Sequence, residues 1–278
     1  LESGGRSFAQ LRKQTLRKCS SKARQFAREG VEHVKKQYWY VIITYVAMQL
    51  SSLVGVPLLA HSGFINASNK DIAISIASGY WAVISFSLAL LFVLYFMRED
   101  MAYSYDRHRA SMGTSIFWSI GGFLLALFAQ GIAANIEMHV FGVEMGSENT
   151  RRIVEMVKLT PALMLVTSIV GPILEEIIFR KIIFGTLYQK YNFFLSATVS
   201  SLLFAVVHLE FEHLLLYATM GFVFAFLYVK TKRILVPIAA HVLMNTFVVA
   251  IQTLFAEEIE KIMKEAEQMQ FVIWRLFS

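Results

Sequence analysis

The sequence predicts an all-α fold, a polytopic transmembrane helix bundle of about seven to eight spans enclosing a polar intramembrane cavity. Three observations carry that prediction. Of 278 residues, 56% are hydrophobic and only 17% are charged, and the mean hydropathy is +0.54. Soluble domains run at about 45–50% apolar and about 25% charged. The apolar residues gather into runs that approach the about 20 residues a helix needs to cross a bilayer. The charges inside those runs are few and fall in the C-terminal half. Four prolines and fifteen glycines leave no room for a disordered or fibrous class, and the lone Cys19 excludes a disulfide framework and a Cys-based metal site.

In chain order, residues 1–36 form a basic arm with ten Lys/Arg against three Glu, while the remainder carries 16 basic against 17 acidic residues. Its only aromatics are Phe8 and Phe26, so it lacks the stacking side chains of a nucleic-acid binder and reads as a segment flanking the cytoplasmic membrane face. The opening LESGG resembles a cloning remnant, with a native start expected near the KKQYWY of residues 35–40, and the arm is set aside from functional argument.

Residues 37–160 read as an N-terminal transmembrane scaffold, with spans near 38–60, 72–97 and 113–136. It closes on an amphipathic segment at 147–160 that places Ile153, Val154 and Val157 on one stripe. Residues 161–255 supply four more apolar runs, near 161–184, 193–208, 213–229 and 234–255. Residues 256–278 form a C-terminal amphipathic helix in which Ile259, Ile262, Met263, Phe271, Ile273 and Trp274 alternate with Glu and Lys. Tyr38, Trp39, Tyr40, Tyr188 and Tyr191 sit at span ends, where interfacial aromatics belong. The arm, the loop with Arg98, Arg107 and Arg109, the loop with Lys181 and Lys190, and Lys230, Lys232 and Arg233 all fall on one side. The positive-inside rule makes that side, and the N-terminus, cytoplasmic.

Three polar clusters interrupt the C-terminal spans, each at the cost of about 2.5–3.5 kcal/mol per charge at bilayer depth. In the first, Glu175-Glu176-x-x-x-Arg180, Glu176 and Arg180 are i,i+4 neighbours while Glu175 points about 100° away. Glu176 and Arg180 can neutralise each other, which leaves Glu175 desolvated and without a partner in its own helix, as a general base requires. Gly171-Pro172 just upstream is expected to break the helix and open the backbone beside the carboxylates. The second cluster is Phe204-x-x-x-His208, followed by LEFEH at 209–213. The third is His241-x-x-x-Asn245, whose N–H donors on one face suit an oxyanion. Each cluster taken singly also fits helix packing. Together they hold the parts of water-driven acyl hydrolysis, because Ser168, Ser196, Ser200 and Ser201 fit packing roles and no serine or cysteine is placed as a nucleophile. A zinc site on Glu175, His208, His241 and His213 is the alternative chemistry, weakened by Asn245, a poor zinc ligand. No cofactor is expected.

All three clusters, in order over residues 171–245, resemble the motifs of the CPBP (CAAX prenyl protease and bacteriocin-processing, or Abi) intramembrane proteases of Rce1-like type, in a bacterial member. EExxxR is Glu175-Glu176-Ile-Ile-Phe-Arg180, FxxxH is Phe204-Ala-Val-Val-His208, and HxxxN is His241-Val-Leu-Met-Asn245. The resemblance implies a catalytic core over 161–255, with Glu175 and His208 activating water, His241 and Asn245 stabilising the oxyanion, and Glu176 and Arg180 in support. It implies an eight-helix bundle whose cavity opens to the cytosol and membrane. The implied partners are a membrane-associated or lipidated peptide and the bilayer of a bacterial cell membrane. A non-catalytic membrane scaffold or regulator that keeps the motifs, and a proton-coupled transporter using Glu175 and His208, are the competing readings. One geometric demand follows. Counted along straight spans, Glu175 lies roughly 14 Å deep and His208 roughly 22 Å, so the helix carrying His208 is expected to be tilted or broken.

Overall fold

The computed structural model describes residues 36–67, 69–103, 109–144 and 146–255, with Glu258, Lys261 and Met269. The arm up to residue 35, with Cys19, and nearly all of the predicted C-terminal amphipathic helix lie outside the described residues. Among the described residues all regular structure is helical. The chain forms α1 (Lys36–Ala60), α2 (Lys70–Tyr103), α3 (Met112–Phe141) and α4 (Glu148–Leu159), then a long run at 163–188, here α5. It ends with α6 (Phe193–Val206), α7 (Leu214–Thr231, led by a 3-10 turn at Phe211–His213) and α8 (Leu235–Leu254). Among the described residues, α1, α2, α3, α7 with its leading turn, and α8 are the five helices long and apolar enough to cross a membrane. α6 is apolar but shorter, and α5 carries Glu175, Glu176, Arg180 and Lys181. The outer faces are apolar, with Leu53, Val54, Phe117 and Phe128 exposed as lipid-facing side chains are.

Local chemistry sets the boundaries. Ser111, Ser147 and Asn192 accept the backbone N–H three residues on, capping α3, α4 and α6. Gly142, at φ 69°, closes α3 in the left-handed conformation that glycine adopts without strain. α4 is amphipathic as predicted, burying Val154 and Val157.

α5 does not break at Gly171-Pro172. It widens instead into a π-turn at Val166–Val170, in which the Gly171 N–H reaches back to the Val166 carbonyl. The next bond in that register would come from Pro172, which has no N–H. The Thr167 carbonyl is thereby released, and the Asn245 side chain takes it, Nδ2 donating at 3.1 Å. A second π segment spans Glu176–Phe184, and there the Ser200 hydroxyl donates to the Phe179 carbonyl at 2.6 Å. Such segments inside helices cluster at functional sites. α5 runs through the centre of the molecule, with Leu174, Ile177, Ile178, Phe179, Ile182 and Phe184 buried. Close helix approach is built on small residues, since a Cβ at Gly221 of α7 would lie 2.5 Å from the Ser201 hydroxyl of α6.

The break expected in the helix that carries His208 is not found within α6, which is continuous over Phe193–Val206. The helix stops at Val206, and the chain turns through 207–210 with Leu209 at φ 58°. His208 therefore leaves the helix axis.

Cross-contacts define two ends of the bundle. At one, Gln37 donates to Glu99, Tyr38 to Asp100 and Arg233 to the Ala110 carbonyl, while Lys181 pairs with Asp100. Lys181, expected in a loop, is buried within α5, and Tyr38, expected at the interface, is turned inward. At the other end, residues 146–149 meet residues 210–213: Ser147 and the Asn149 N–H donate to Glu210, and His213 Nε2 lies 3.1 Å from the Gly146 carbonyl.

Candidate active site

The three sequence motifs converge on one buried row. Glu176 and Arg180 of α5 and His241 of α8 are each almost wholly buried. Glu176 Oε1 accepts from His241 Nδ1 at 2.9 Å. Glu176 Oε2 faces Arg180 Nε at 3.2 Å, close enough for an ion pair yet out of line for a hydrogen bond. The expected Glu176–Arg180 pair thus forms, and His241 makes it a triad. Breaking such a buried pair costs about 3–5 kcal/mol, because the surviving charge is left without compensation.

Arg180 is also held through its face. Its guanidinium lies 4.3 Å from the Phe204 ring centre and 5.3 Å from that of Phe224. A desolvated cation–π contact of this kind contributes about 2 kcal/mol. This explains the phenylalanine of the second motif. Phe204 is fully buried, and its ring also meets Phe179 at 5.4 Å, His208 at 4.7 Å and His241 at 5.9 Å. It is the hub that joins all three clusters.

Glu175 lies outside the triad and is 16% exposed along its side chain. Among the described residues it makes no hydrogen bond or ion pair within its own helix, though Arg180 is within electrostatic reach, and His241 Nε2 lies 3.7 Å away. His241 consequently stands between two carboxylates, one on each ring nitrogen. His208 is within electrostatic reach of Glu175. Its Nδ1 lies 2.8 Å from the Phe204 carbonyl, which can only accept, so Nδ1 carries a proton and Nε2 is bare in the neutral ring. Asn245 lies with His208 and His241 on the wall of a cavity of about 140 Å³, along with Tyr217, Thr167, Ser147 and Asn149. One Asn245 N–H is spent on Thr167, and the other remains as a donor.

Three features escaped the sequence reading. Tyr217 stacks on His208 with ring centres 4.1 Å apart, and its hydroxyl donates to Glu210 Oε2 at 2.8 Å. Glu210 in turn holds the start of α4 through Ser147 and Asn149. Partial burial pushes the Glu210 carboxyl up, but the hydrogen bonds from Asn149, Ser147 and Tyr217 outweigh it and hold the group below the ordinary carboxylate value. The third is Glu137, placed by sequence in a loop. It is 2% exposed inside α3, accepts the Leu216 N–H at 2.9 Å and pairs with His213 Nδ1 at 3.0 Å. The polar run LEFEH at 209–213 was the available signal for Glu210 and His213, and nothing in the spacing marks Tyr217 or Glu137. Among the described residues no three His, Cys, Asp or Glu side chains form a group able to hold a metal ion; His213, one of the possible zinc ligands, is engaged by Glu137 and Gly146.

Comparison with known proteins follows the same residues. The family described as Type II CAAX prenyl endopeptidase Rce1-like matches residues 158–247. A Bacillus subtilis (strain 168) protein named "Putative membrane peptidase YdiL" is 48% identical over 246 residues, covering 88% of this chain and 100% of that protein. The "Membrane-embedded CAAX protease MroQ" of Staphylococcus aureus (strain USA300) is 37% identical over 155 residues, 54% of this chain and 63% of that protein. "UPF0177 protein YxdF" of Lactococcus lactis is 35% identical over 83 residues, 30% of this chain and 45% of that protein. No solved structure matches.

Proposed function

The chain belongs to the Rce1-like CAAX protease family as a bacterial member, and on that premise we propose that it is a glutamate-dependent intramembrane endopeptidase. Its substrate is a membrane-associated or lipidated peptide. The observation that carries this reading is His241 between two carboxylates, of which Glu176 is neutralised by Arg180 and Glu175 is not.

Each residue has one task. Glu175 takes a proton from water as the water oxygen adds to the scissile carbonyl. The bare Nε2 of His208 orients that water and relays protons. The carbonyl π electrons move to oxygen, and the resulting oxyanion is met by the free Asn245 N–H and by an N–H of the His241 ring, which the flanking carboxylates hold in place. The proton held by Glu175 passes to the amide nitrogen, the C–N bond breaks, and a carboxylate and an amine leave. Glu176, Arg180 and Phe204 hold His241 in place. The reaction calls for no metal, so EDTA leaves the rate unchanged.

The test uses the purified full chain in liposomes with quenched fluorescent peptides: a farnesylated CAAX-ending set, an N-acylated set and an unmodified amphipathic set. Wild type cleaves at least one set, and Glu175→Ala and His208→Ala do not. Cleavage persisting in both variants overturns the mechanism. Absence of cleavage by wild type favours the scaffold reading, and proton flux coupled to peptide uptake favours the transporter.

A further inference from the structure

We infer that the catalytic cavity faces the extracytoplasmic side, so that the substrate is a peptide already carried to the outer leaflet. The inference rests on the protease reading for its substrate, but its geometry stands on three separate observations.

First, the charges divide by end. The end defined by Gln37–Glu99, Lys181–Asp100 and Arg233–Ala110 carries Lys36, Arg98, Arg109, Lys190, Lys230, Lys232 and Arg233. The opposite end carries Lys70, Arg151, Arg152 and Lys158 among Asp71, Glu144, Glu148, Glu155, Glu210 and Glu212. Lys and Arg in short loops mark the cytoplasmic side, which assigns the first end to the cytoplasm.

Second, the cavity lies toward the other end. Ser147, Asn149 and Thr150, at the start of α4, form its wall with His208 and Asn245. His208 follows α6, whose start at Phe193 adjoins Lys190, and that helix of 14 residues rises about 21 Å away from the basic end. A neighbouring cavity of about 440 Å³ continues past Ser147 and Thr150 to Glu144, Gly146 and His213, all at the same end.

Third, the basic end is closed below the site. Fully buried Phe184 packs on Tyr188, Phe193 and Tyr228, and the buried Lys181–Asp100 pair with Tyr38 fills the adjoining space. A tail lipidated in the cytoplasm and left on the inner leaflet would meet this plug. This orientation is opposite to the cytosolic opening that the motif resemblance implies. Export or insertion across the membrane is therefore the class of step that supplies the substrate.

The experiment labels intact bacterial cells expressing the full chain with a membrane-impermeant maleimide. In a Cys19→Ser background, Glu144→Cys and Ser62→Cys are expected to label in intact cells, and Gln189→Cys only after lysis. Labelling of Gln189→Cys in intact cells, with Glu144→Cys protected until lysis, overturns the proposal. A second arm adds a charged, impermeant quenched peptide from the cleaved set to sealed vesicles of wild-type protein. Cleavage confined to right-side-out vesicles supports the assignment, and cleavage confined to inverted vesicles overturns it. The labelling needs no catalysis, so a wild type that cuts nothing removes the protease reading while the sidedness is still decided.

Discussion

α2 and α3 in the N-terminal half and α7 and α8 in the C-terminal half are helices of the same apolar kind, put to different uses. Of the most apolar stretch of α2 or α3, 17% is buried, against 33% in α8 and 44% in α7. The first pair turns more of its surface outward, though α3 also packs along α7 and α8; the second pair packs around α5 and encloses Glu176, Arg180 and His241. The difference teaches that hydropathy alone does not rank these helices. What separates them is where polar side chains find partners. Glu137 in α3 is buried as deeply as the row of Glu176, Arg180 and His241, yet its oxygens are spent on the Leu216 N–H and on His213. It docks one helix on another. Glu175 keeps a partly exposed side chain that faces the edge of His241 at 3.7 Å, with His208 in electrostatic reach.

The comparison is broken most severely at Glu176. Glu176→Ala leaves Arg180 buried without its counter-charge, and the expected loss is about 3–5 kcal/mol, read as a lowered thermal midpoint in detergent. A midpoint equal to wild type would mean that the row is not a cohesive unit. Glycines sharpen the contrast next. At Gly221 a Cβ would lie 2.9 Å from the Ser201 Cα, whereas at Gly121 of α3 it meets nothing within 4 Å. Gly221→Ala should cost about 1–3 kcal/mol through overpacking. Gly121→Ala should be neutral or gain about 0.5–1 kcal/mol from helix propensity. Equal midpoints for the two variants would remove the packing difference between the α6–α7 seam and the open face of α3.

Smaller effects probe the link from α4 to His208. Tyr217→Phe keeps the ring stack but loses the hydrogen bond to Glu210. It should lower kcat about tenfold with KM unchanged, in keeping with a bond to a charged group. An unchanged kcat would make Tyr217 a packing residue only. The smallest effect is one of pH. Because the Glu210 carboxyl is held below its ordinary value of 4.5, its hold on α4 is at full strength above that pH. The hold is lost as the pH falls through the lowered value. Hydrogen exchange of the first turn of α4 should accelerate there and not between pH 6 and 8.

Much of this was legible in the sequence, and for physical reasons. A bilayer demands apolar runs of fixed length, so helix positions came within a few residues, and the i,i+4 spacing paired Glu176 with Arg180 before any coordinates. The break expected in the helix carrying His208 is absent: α6 runs unbroken to Val206 and His208 lies in the turn just past it. The other misses share a cause, since each depends on what a neighbouring helix offers. Pro172 implied a break, because the sequence cannot show that a π-turn would release the Thr167 carbonyl and that Asn245 would take it up. Lys181 looked like a loop charge because its partner Asp100 lies 81 positions away. Glu137 lies just past the end of an apolar run, so the hydropathy pattern stops at 136 while α3 continues to Phe141.

The central claim is that Glu175 is held for chemistry and not for cohesion. The most direct test makes one substitution in both halves and reads two quantities on each preparation. Hydrolysis of the best quenched peptide and the thermal midpoint are measured for wild type, Glu175→Gln and Glu137→Gln. Glu175→Gln should lose about 10²–10⁴-fold in rate at an unchanged midpoint, while Glu137→Gln keeps its rate. A Glu175→Gln protein that hydrolyses at the wild-type rate, or loses activity only because it unfolds, would contradict the account.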